Sequence, residues 1–184
     1  MNKKILNAPE KLRREFIDRP ETKEYVTINT SVNSMNALLK KALSGDVDNK
    51  VALDQALITM FNKLTDPNSV VRESEYARTP QNLPIINRIQ GAIQKIQKGG
   101  AGLTNKDREA LVLGAKIIAD ERGKTYNTTR QEYEDLSTAY DLDSNITLRG
   151  MKEHINFIDG NQQSNTFTTE DEKRLQELEQ KFGK

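Results

Sequence analysis

The chain has 184 residues, of which 35% are hydrophobic, and its 28 Lys and Arg residues nearly balance its 27 Asp and Glu residues. That length suffices for one modest core, and the balanced charge excludes a general attraction to polyanions, so nucleic-acid binding would need a local basic patch. The absence of cysteine and the single histidine, His154, exclude disulfide scaffolds, thiol nucleophiles and the usual Cys/His zinc sites.

Apolar side chains recur at spacings of three and four residues throughout the chain, whereas alternation with period two is not sustained. This pattern predicts an all-α protein with little or no sheet. A first helix is predicted from Pro9 to Ile17, with Pro20 ending it. A second is predicted from about Thr22 to Leu43, and its TINTSVNS stretch of poor helix formers favours a break or kink near residues 29 to 34.

Two shorter helices are predicted next. Asp48 is placed to cap the first of them, whose apolar face comprises Leu53, Leu57, Leu64 and either Met60 or Phe61. In LPIINRIQGAIQKIQKGG, isoleucines recur at helical spacing until two glycines end the second helix: Ile86, Ile89, Ile93 and Ile96.

The longest predicted helix runs from about residue 104 to 140. Thr104 and Asp107 resemble a capping box, with Asp in place of the usual Glu or Gln. The apolar stripe of this helix consists of Ala110, Leu111 or Leu113, Ile117, Tyr126, Tyr133, Leu136 and Tyr140. Gly123 and a Thr-Asn-Thr-Thr stretch weaken its middle, but a continuous helix would be roughly 50 Å long at a rise of about 1.5 Å per residue. Such a length is typical of a scaffold.

These patterns together predict an irregular all-α helical bundle with that long helix and a short C-terminal helix. The predicted parts are an N-terminal helical segment (1–21), a helical module (22–150), a linker (151–167) and the C-terminal helix (168–184). No apolar run approaches the ~20 residues that a membrane-spanning helix needs, and the charged opening does not fit a signal peptide, so we expect a soluble chain.

One polar stretch, LTDPNSVVRESEYART at residues 64–79, is predicted to form a capped helical corner. Asp66 suits the N-cap and Pro67 the first helical turn, and a Thr-Pro pair ends the helix. Arg72 and Glu75 stand at the spacing of neighbours on a helix surface, where a pair contributes only ~0.2–0.5 kcal/mol. The opposite face carries small side chains that allow close packing: Val70, Ser74 and Ala77.

Glu73 is a candidate catalytic acid within this corner. Together with the later Gly-Ala-Gly-Leu at residues 100–103, it resembles the pattern of goose-type and soluble lytic transglycosylases, whose single glutamate protonates a glycosidic oxygen. That chemistry needs a carboxyl group with a raised pKa in an apolar cleft. Glu73 lies instead in a polar stretch, Thr104 and Asn105 replace Met-Gln after the Gly-Leu pair, and the chain has no tryptophan to line a sugar cleft. A surface or salt-bridged glutamate is favoured, and no enzymatic activity is predicted.

Two further candidates are a calcium loop and a histidine site. In DLDSNITLRGMKE, Asp141, Asp143 and Asn145 match the first ligands of a calcium loop, but Ile146 replaces the required glycine and Lys152 the bidentate glutamate. A helix end with capping acids is favoured there. No catalytic triad can be assembled around the only histidine, which is predicted to belong to a packed surface. No metal or other cofactor is therefore expected.

The corner also carries a resemblance to a known group of proteins. Residues 66–77, DPNSVVRESEYA, resemble a motif in a helical region of tailed-bacteriophage virion proteins, Asp-Pro-Gly-Ser-Val-Val-Arg-Glu-x-Glu followed by an aromatic residue and alanine. The similarity covers roughly residues 20–140, and Asn68 replaces the glycine. The residues that carry this motif are Asp66, Pro67, Ser69, Val70, Val71, Arg72, Glu73, Glu75 and Tyr76.

The resemblance implies a structural role in a phage particle. Proteins with this region are modular virion components, including internal proteins expelled with the genome and tail-associated chains, some with a separate peptidoglycan-cleaving domain. The resemblance also implies that the chain is made in the host bacterial cytoplasm. Its partners would be other virion proteins or further copies of itself, with no small-molecule substrate. Two alternatives stay open: a peptidoglycan-cleaving enzyme that uses Glu73, and a module that contacts nucleic acid or membrane, which the net charge does not support.

Overall fold

The computed structural model describes residues 8–45, 50–65, 83–97 and 102–158. Its helices are α1 (Ala8–Asp18), α2 (Pro20–Leu43), α3 (Val51–Thr65), α4 (Leu83–Gln97), α5 (Asn105–Ala139) and α6 (Ser144–Thr147). Helix takes up 82% of these described residues and they contain no strand, which confirms the predicted all-α class. The predicted long helix is α5, and a short helix, α6, follows it on the C-terminal side.

Several predicted features lie outside the described residues. They are the cap at Asp48, the corner at residues 66–77, the glycine pair at 99–100 and the segment 168–184. Within the described helices, none combines the length and the apolar character that crossing a bilayer requires.

Helix α5 is the element around which the described bundle is built, because all five other described helices contact it. Its first half belongs to a large aliphatic core, to which α2, α3 and α4 contribute Val32, Leu57 and Ile89. Its second half belongs to a smaller aromatic core, formed by Phe16, Tyr25, Tyr126, Tyr133 and Leu148. One helix therefore joins two separate cores.

The first two helices follow the sequence prediction closely. Helix α1 ends at Asp18, and Pro20 occupies the first turn of α2, where its missing N–H has no partner to lose. Helix α2 therefore begins two residues earlier than predicted. The fully buried ring of Phe16 packs α1 against the aromatic rings of α5. The division between segments 1–21 and 22–150 stays a prediction.

The break or kink predicted near residues 29 to 34 does not interrupt α2, which is one continuous helix from Pro20 to Leu43. Its hydroxyl side chains bond to carbonyl groups one turn back: Thr27 donates to Lys23 O at 2.9 Å and Thr30 to Val26 O at 2.8 Å. Two serines of the stretch do the same. The hydroxyls are satisfied within the helix, and buried Val32 anchors the stretch in the aliphatic core.

The capping box predicted at the start of α5 is confirmed. The Thr104 hydroxyl accepts the N–H of Asp107 at 3.2 Å, and the Asp107 carboxylate accepts the Thr104 N–H at 3.0 Å. The helix runs without interruption through Gly123 and ends at Ala139. The predicted stripe holds as far as Tyr133.

Burial departs from the predicted apolar faces at several positions. Leu136 of α5 is 39% exposed and Tyr140, which follows the helix, is 65% exposed, so the stripe ends earlier than predicted. On α3, Leu57, Phe61 and Leu64 are buried as predicted, whereas Leu53 is only half-buried and Asp54 is buried. On α4, Ile89 is buried, and Ile85 and Ala92 complete that face.

Candidate functional site

A largely buried polar cluster of Tyr25, Asp120, Asn127 and His154 lies along α5, between its aliphatic and aromatic cores. Asp120 and Asn127 are two turns apart on α5, Tyr25 comes from α2, and His154 comes from the chain after α6. The aliphatic core ends on α5 at Ala119, and the aromatic core begins there at Tyr126. The cluster therefore fills the junction between the two cores.

His154 is bonded through both ring nitrogens. Its Nε2 lies 3.1 Å from Asp120 Oδ1, and its Nδ1 lies 3.0 Å from the Tyr25 hydroxyl. Nε2 donates to Asp120 because a carboxylate has no hydrogen to give, and Nδ1 shares the second hydrogen bond with the Tyr25 hydroxyl. The imidazole side chain is 2% exposed, so both bonds are shielded from water.

The same carboxylate also holds the backbone that follows His154. Asp120 Oδ1 accepts the N–H of Phe157 at 2.7 Å, and Oδ2 accepts the N–H of Ile158 at 3.1 Å. Asn127 bonds both backbone groups of His154, accepting its N–H at 2.8 Å and donating to its carbonyl at 2.9 Å. Residues 151–158, here called the strap, are thus fixed along α5 although they contain no helix. They are the described part of the predicted linker.

Gly123 makes this arrangement possible. A Cβ atom at that position would lie 1.9 Å from His154 Cδ2 and 2.3 Å from its Cγ, far inside van der Waals contact. The imidazole ring therefore lies directly on the α5 backbone at Gly123. A glycine that weakens the helix by propensity is required there by packing.

The tyrosines around the cluster keep their protons. Burial raises the pKa of Tyr25, and the nearby Asp120 charge raises it further. Burial also raises the pKa of Tyr126 to about 12, with Tyr25 adding to the effect and Arg130 opposing it. The two rings stack with their centroids 4.0 Å apart. Tyr25 shares its hydroxyl bond with His154, and Tyr126 donates to the Lys152 carbonyl at 3.0 Å.

The connectivity of Asp120, His154 and Tyr25 is that of an acid, a base and a hydroxyl in a nucleophilic triad. An activated nucleophile needs a lowered pKa or an accessible base, whereas the pKa of Tyr25 is raised and His154 is enclosed. The geometry therefore fits a network that fixes the strap.

A second buried polar cluster fixes the start of α5. Arg108 Nε and Nη2 donate to the two carboxylate oxygens of Asp54 at 2.6 and 3.0 Å, and the Leu103 N–H donates to the same carboxylate at 2.8 Å. Arg108 also donates to the Asn105 side chain at 2.8 Å. This bidentate pair joins α3 to the first turn of α5. The Asp54 side chain is 2% exposed and the Arg108 side chain 6%.

No family model, curated protein or solved structure matches the chain. The nine residues of the virion-protein motif, Glu73 among them, lie outside the described residues, so the structure does not place the predicted corner.

The two other candidates from the sequence fall on described residues. The helix end with a capping acid predicted in the calcium-like loop is confirmed, since Asp143 caps α6 by accepting the Asn145 N–H at 2.8 Å. In the part of the chain that the structure describes, no three acidic or histidine side chains are grouped as metal ligands. His154 was predicted on a packed surface, and it is instead interior, with 6% of the residue exposed.

Sequence reasoning missed Asp54, Arg108 and Asp120 because charged residues are expected to be exposed. One local signal existed. Asp120 stands three residues before Gly123, both lie next to the apolar face of the helix, and the chain has a single histidine to pair with a buried acid. That signal does not name the partner, because 34 residues separate Asp120 from His154.

Proposed function

We propose that the chain is a structural module of a tailed-bacteriophage particle, either an internal protein expelled with the genome or a tail-associated protein. It works through contacts with other virion proteins or with further copies of itself. The phage assignment rests on the motif at residues 66–77, whose resemblance is set out above. The architecture of the described bundle supports a mechanical role for such a module.

The observation that carries this role is the arrangement around α5. All five other described helices contact that helix. A buried ion pair attaches α3 to it, and hydrogen bonds attach the strap. Buried polar groups with all partners in place favour one arrangement of a core over alternatives. A rigid scaffold of this kind keeps its outer surfaces at fixed spacing, which is what a protein that works through contacts requires.

Mass spectrometry of purified particles tests the proposal, using a phage whose genome encodes this chain. We expect the chain to co-purify with full particles at a constant copy number. Particles emptied of DNA in vitro then separate the two locations, since an internal protein is lost with the genome and a tail-associated protein is retained. Presence in the infected-cell lysate together with absence from full particles would contradict the proposal.

Incubation with purified peptidoglycan separates this role from the enzymatic alternative. We expect neither the wild-type chain nor Glu73→Gln to release muropeptides. Release by the wild type that is abolished in the variant would favour a lytic transglycosylase instead.

A further inference from the structure

A pocket of about 250 Å³ lies beside the strap, on the side of the molecule where α5, α6 and the turn after α6 meet. Its charged lining consists of Arg130, Arg149, Lys152 and Glu134, which leaves two net positive charges. The other lining side chains include two neutral hydrogen-bonding groups, Ser144 and Asn145. This is a local concentration of positive charge on a chain whose total charge is only +1.

The cationic side chains of the pocket differ in the hydrogen bonds and ion pairs that they form. Arg130 Nε donates to the Met151 carbonyl at 2.9 Å, and Nη1 pairs with Glu134 at 3.0 Å. The guanidinium is therefore held in place, and its Nη2 group makes no hydrogen bond within the described part of the chain. The side chains of Arg149 and Lys152 are exposed and form no ion pair with any described residue. The pocket thus presents one fixed and two adjustable donors.

The backbone that carries the two exposed cations is fixed in place. Carbonyl groups of three of its residues accept side-chain donors from other helices: Arg149 from Arg13, Met151 from Arg130, and Lys152 from Tyr126. Gly150 turns the chain there with a φ of +81°, a conformation that residues with a side chain rarely adopt. Asp143, which precedes the lining residue Ser144, accepts the N–H of Asn145.

We propose that this pocket is a binding site for a phosphate group, held by Arg130, Arg149 and Lys152. A planar guanidinium and a flexible ammonium are the groups that proteins use to bind phosphate oxygens. The volume accommodates a phosphate group with its nearest substituents and is too small for a folded partner. Two sources supply this chemistry, namely a small phosphate anion and the phosphodiester backbone of a nucleic acid.

Nuclear magnetic resonance titration of the full chain tests the site. The probes are inorganic phosphate and a short single-stranded oligonucleotide at low ionic strength, where an exposed site is least screened. We expect saturable shifts confined to the amides of residues 148–152 and the Arg130 side chain. Saturation by both probes assigns the site to nucleic-acid phosphate, and saturation by phosphate alone assigns it to a small anion; each supports the proposal.

Charge-removing variants separate a built site from general attraction. Arg149→Gln and Lys152→Gln change exposed side chains, and each should weaken binding by about tenfold, the effect of losing one hydrogen bond to a charged group. Lys124→Gln, an equal charge change at a residue paired with Glu121 on α5, should leave affinity unchanged. Chemical shift changes that do not saturate would overturn the proposal. So would an equal loss of affinity in all three variants.

Discussion

Replacing Gly123 by Ala should destabilise the protein, although alanine is the better helix former. The added methyl group would lie 1.9 Å from the His154 ring, so the ring must leave the surface of α5. Its departure breaks the bond to the buried Asp120 carboxylate and the bond to the Tyr25 hydroxyl.

The size of the effect follows from these losses. A hydrogen bond to a charged group contributes about 1.5–3 kcal/mol and a neutral one about 1 kcal/mol, while the helix gains about 1 kcal/mol when alanine replaces glycine. We therefore expect the free energy of unfolding to fall by about 1.5–3 kcal/mol. Equilibrium unfolding in urea measures this, provided that the dependence of stability on urea concentration stays the same.

Gly91 supplies the matched control. It is an exposed glycine within helix α4, and an added Cβ there meets nothing within 4 Å. Gly91→Ala should therefore raise stability by up to about 1 kcal/mol, with the opposite sign to Gly123→Ala. In a His154→Ala background, Gly123→Ala should become stabilising as well, because the three closest contacts of the added Cβ all belong to the His154 ring. If Gly123→Ala stabilises the unmodified protein as Gly91→Ala does, the placement of the His154 ring is wrong.

Three other perturbations test polar groups of α5. Arg108→Met leaves the buried Asp54 carboxylate without its charged partner and should lower the free energy of unfolding, measured in urea, by about 3–5 kcal/mol. The double variant with Asp54→Leu should recover much of that loss. Burial alone would raise the pKa of Asp107, but hydrogen bonds from the capping-box threonine and the charge of a nearby guanidinium outweigh burial and lower it. The Asp107 carboxylate contributes this stability above its unfolded pKa of 3.8, and the contribution is lost as pH falls through its lower pKa in the folded protein. Below about pH 4, the wild type should therefore lose more stability than Asp107→Asn. Burial raises the pKa of Tyr126 from 10.0 to about 12. The protonated hydroxyl therefore contributes fully to the stability of the fold below pH 10, and this contribution falls as pH rises toward 12. Tyr126→Phe should remove that alkaline loss of stability. An unchanged alkaline slope in the variant would show that another group causes the loss.

Local sequence signals predicted the helices well because their causes are local. The capping box at Thr104 depends on residues three positions apart, and the faces of α3 and α5 follow from helical periodicity. The stretch of poor helix formers does not interrupt α2, because propensity scales describe hydroxyl residues only on average. In α2 those hydroxyls bond to the preceding turn, and buried Val32 and Met35 hold the helix to its neighbours.

The polar clusters escaped prediction because their partners are chosen by tertiary packing. Arg108 meets Asp54 across 54 residues of sequence, and no spacing rule connects them. Gly123 shows the same limit, since propensity treats it as a weak point and the three-dimensional contact makes it a requirement. The candidate site drawn from sequence, the corner around Asp66, stays a prediction because it lies outside the described residues.

The strap has a consequence for the order in which the protein folds. Tyr25 and His154 are 129 residues apart, and their bond needs α2 and α5 to be paired already, so the strap is expected to close late. Contacts that form after the transition state change the unfolding rate and leave the folding rate nearly unaffected. His154→Ala should therefore raise the unfolding rate without lowering the refolding rate. A late-closing strap lengthens the lifetime of the folded molecule beyond what its equilibrium stability alone would give.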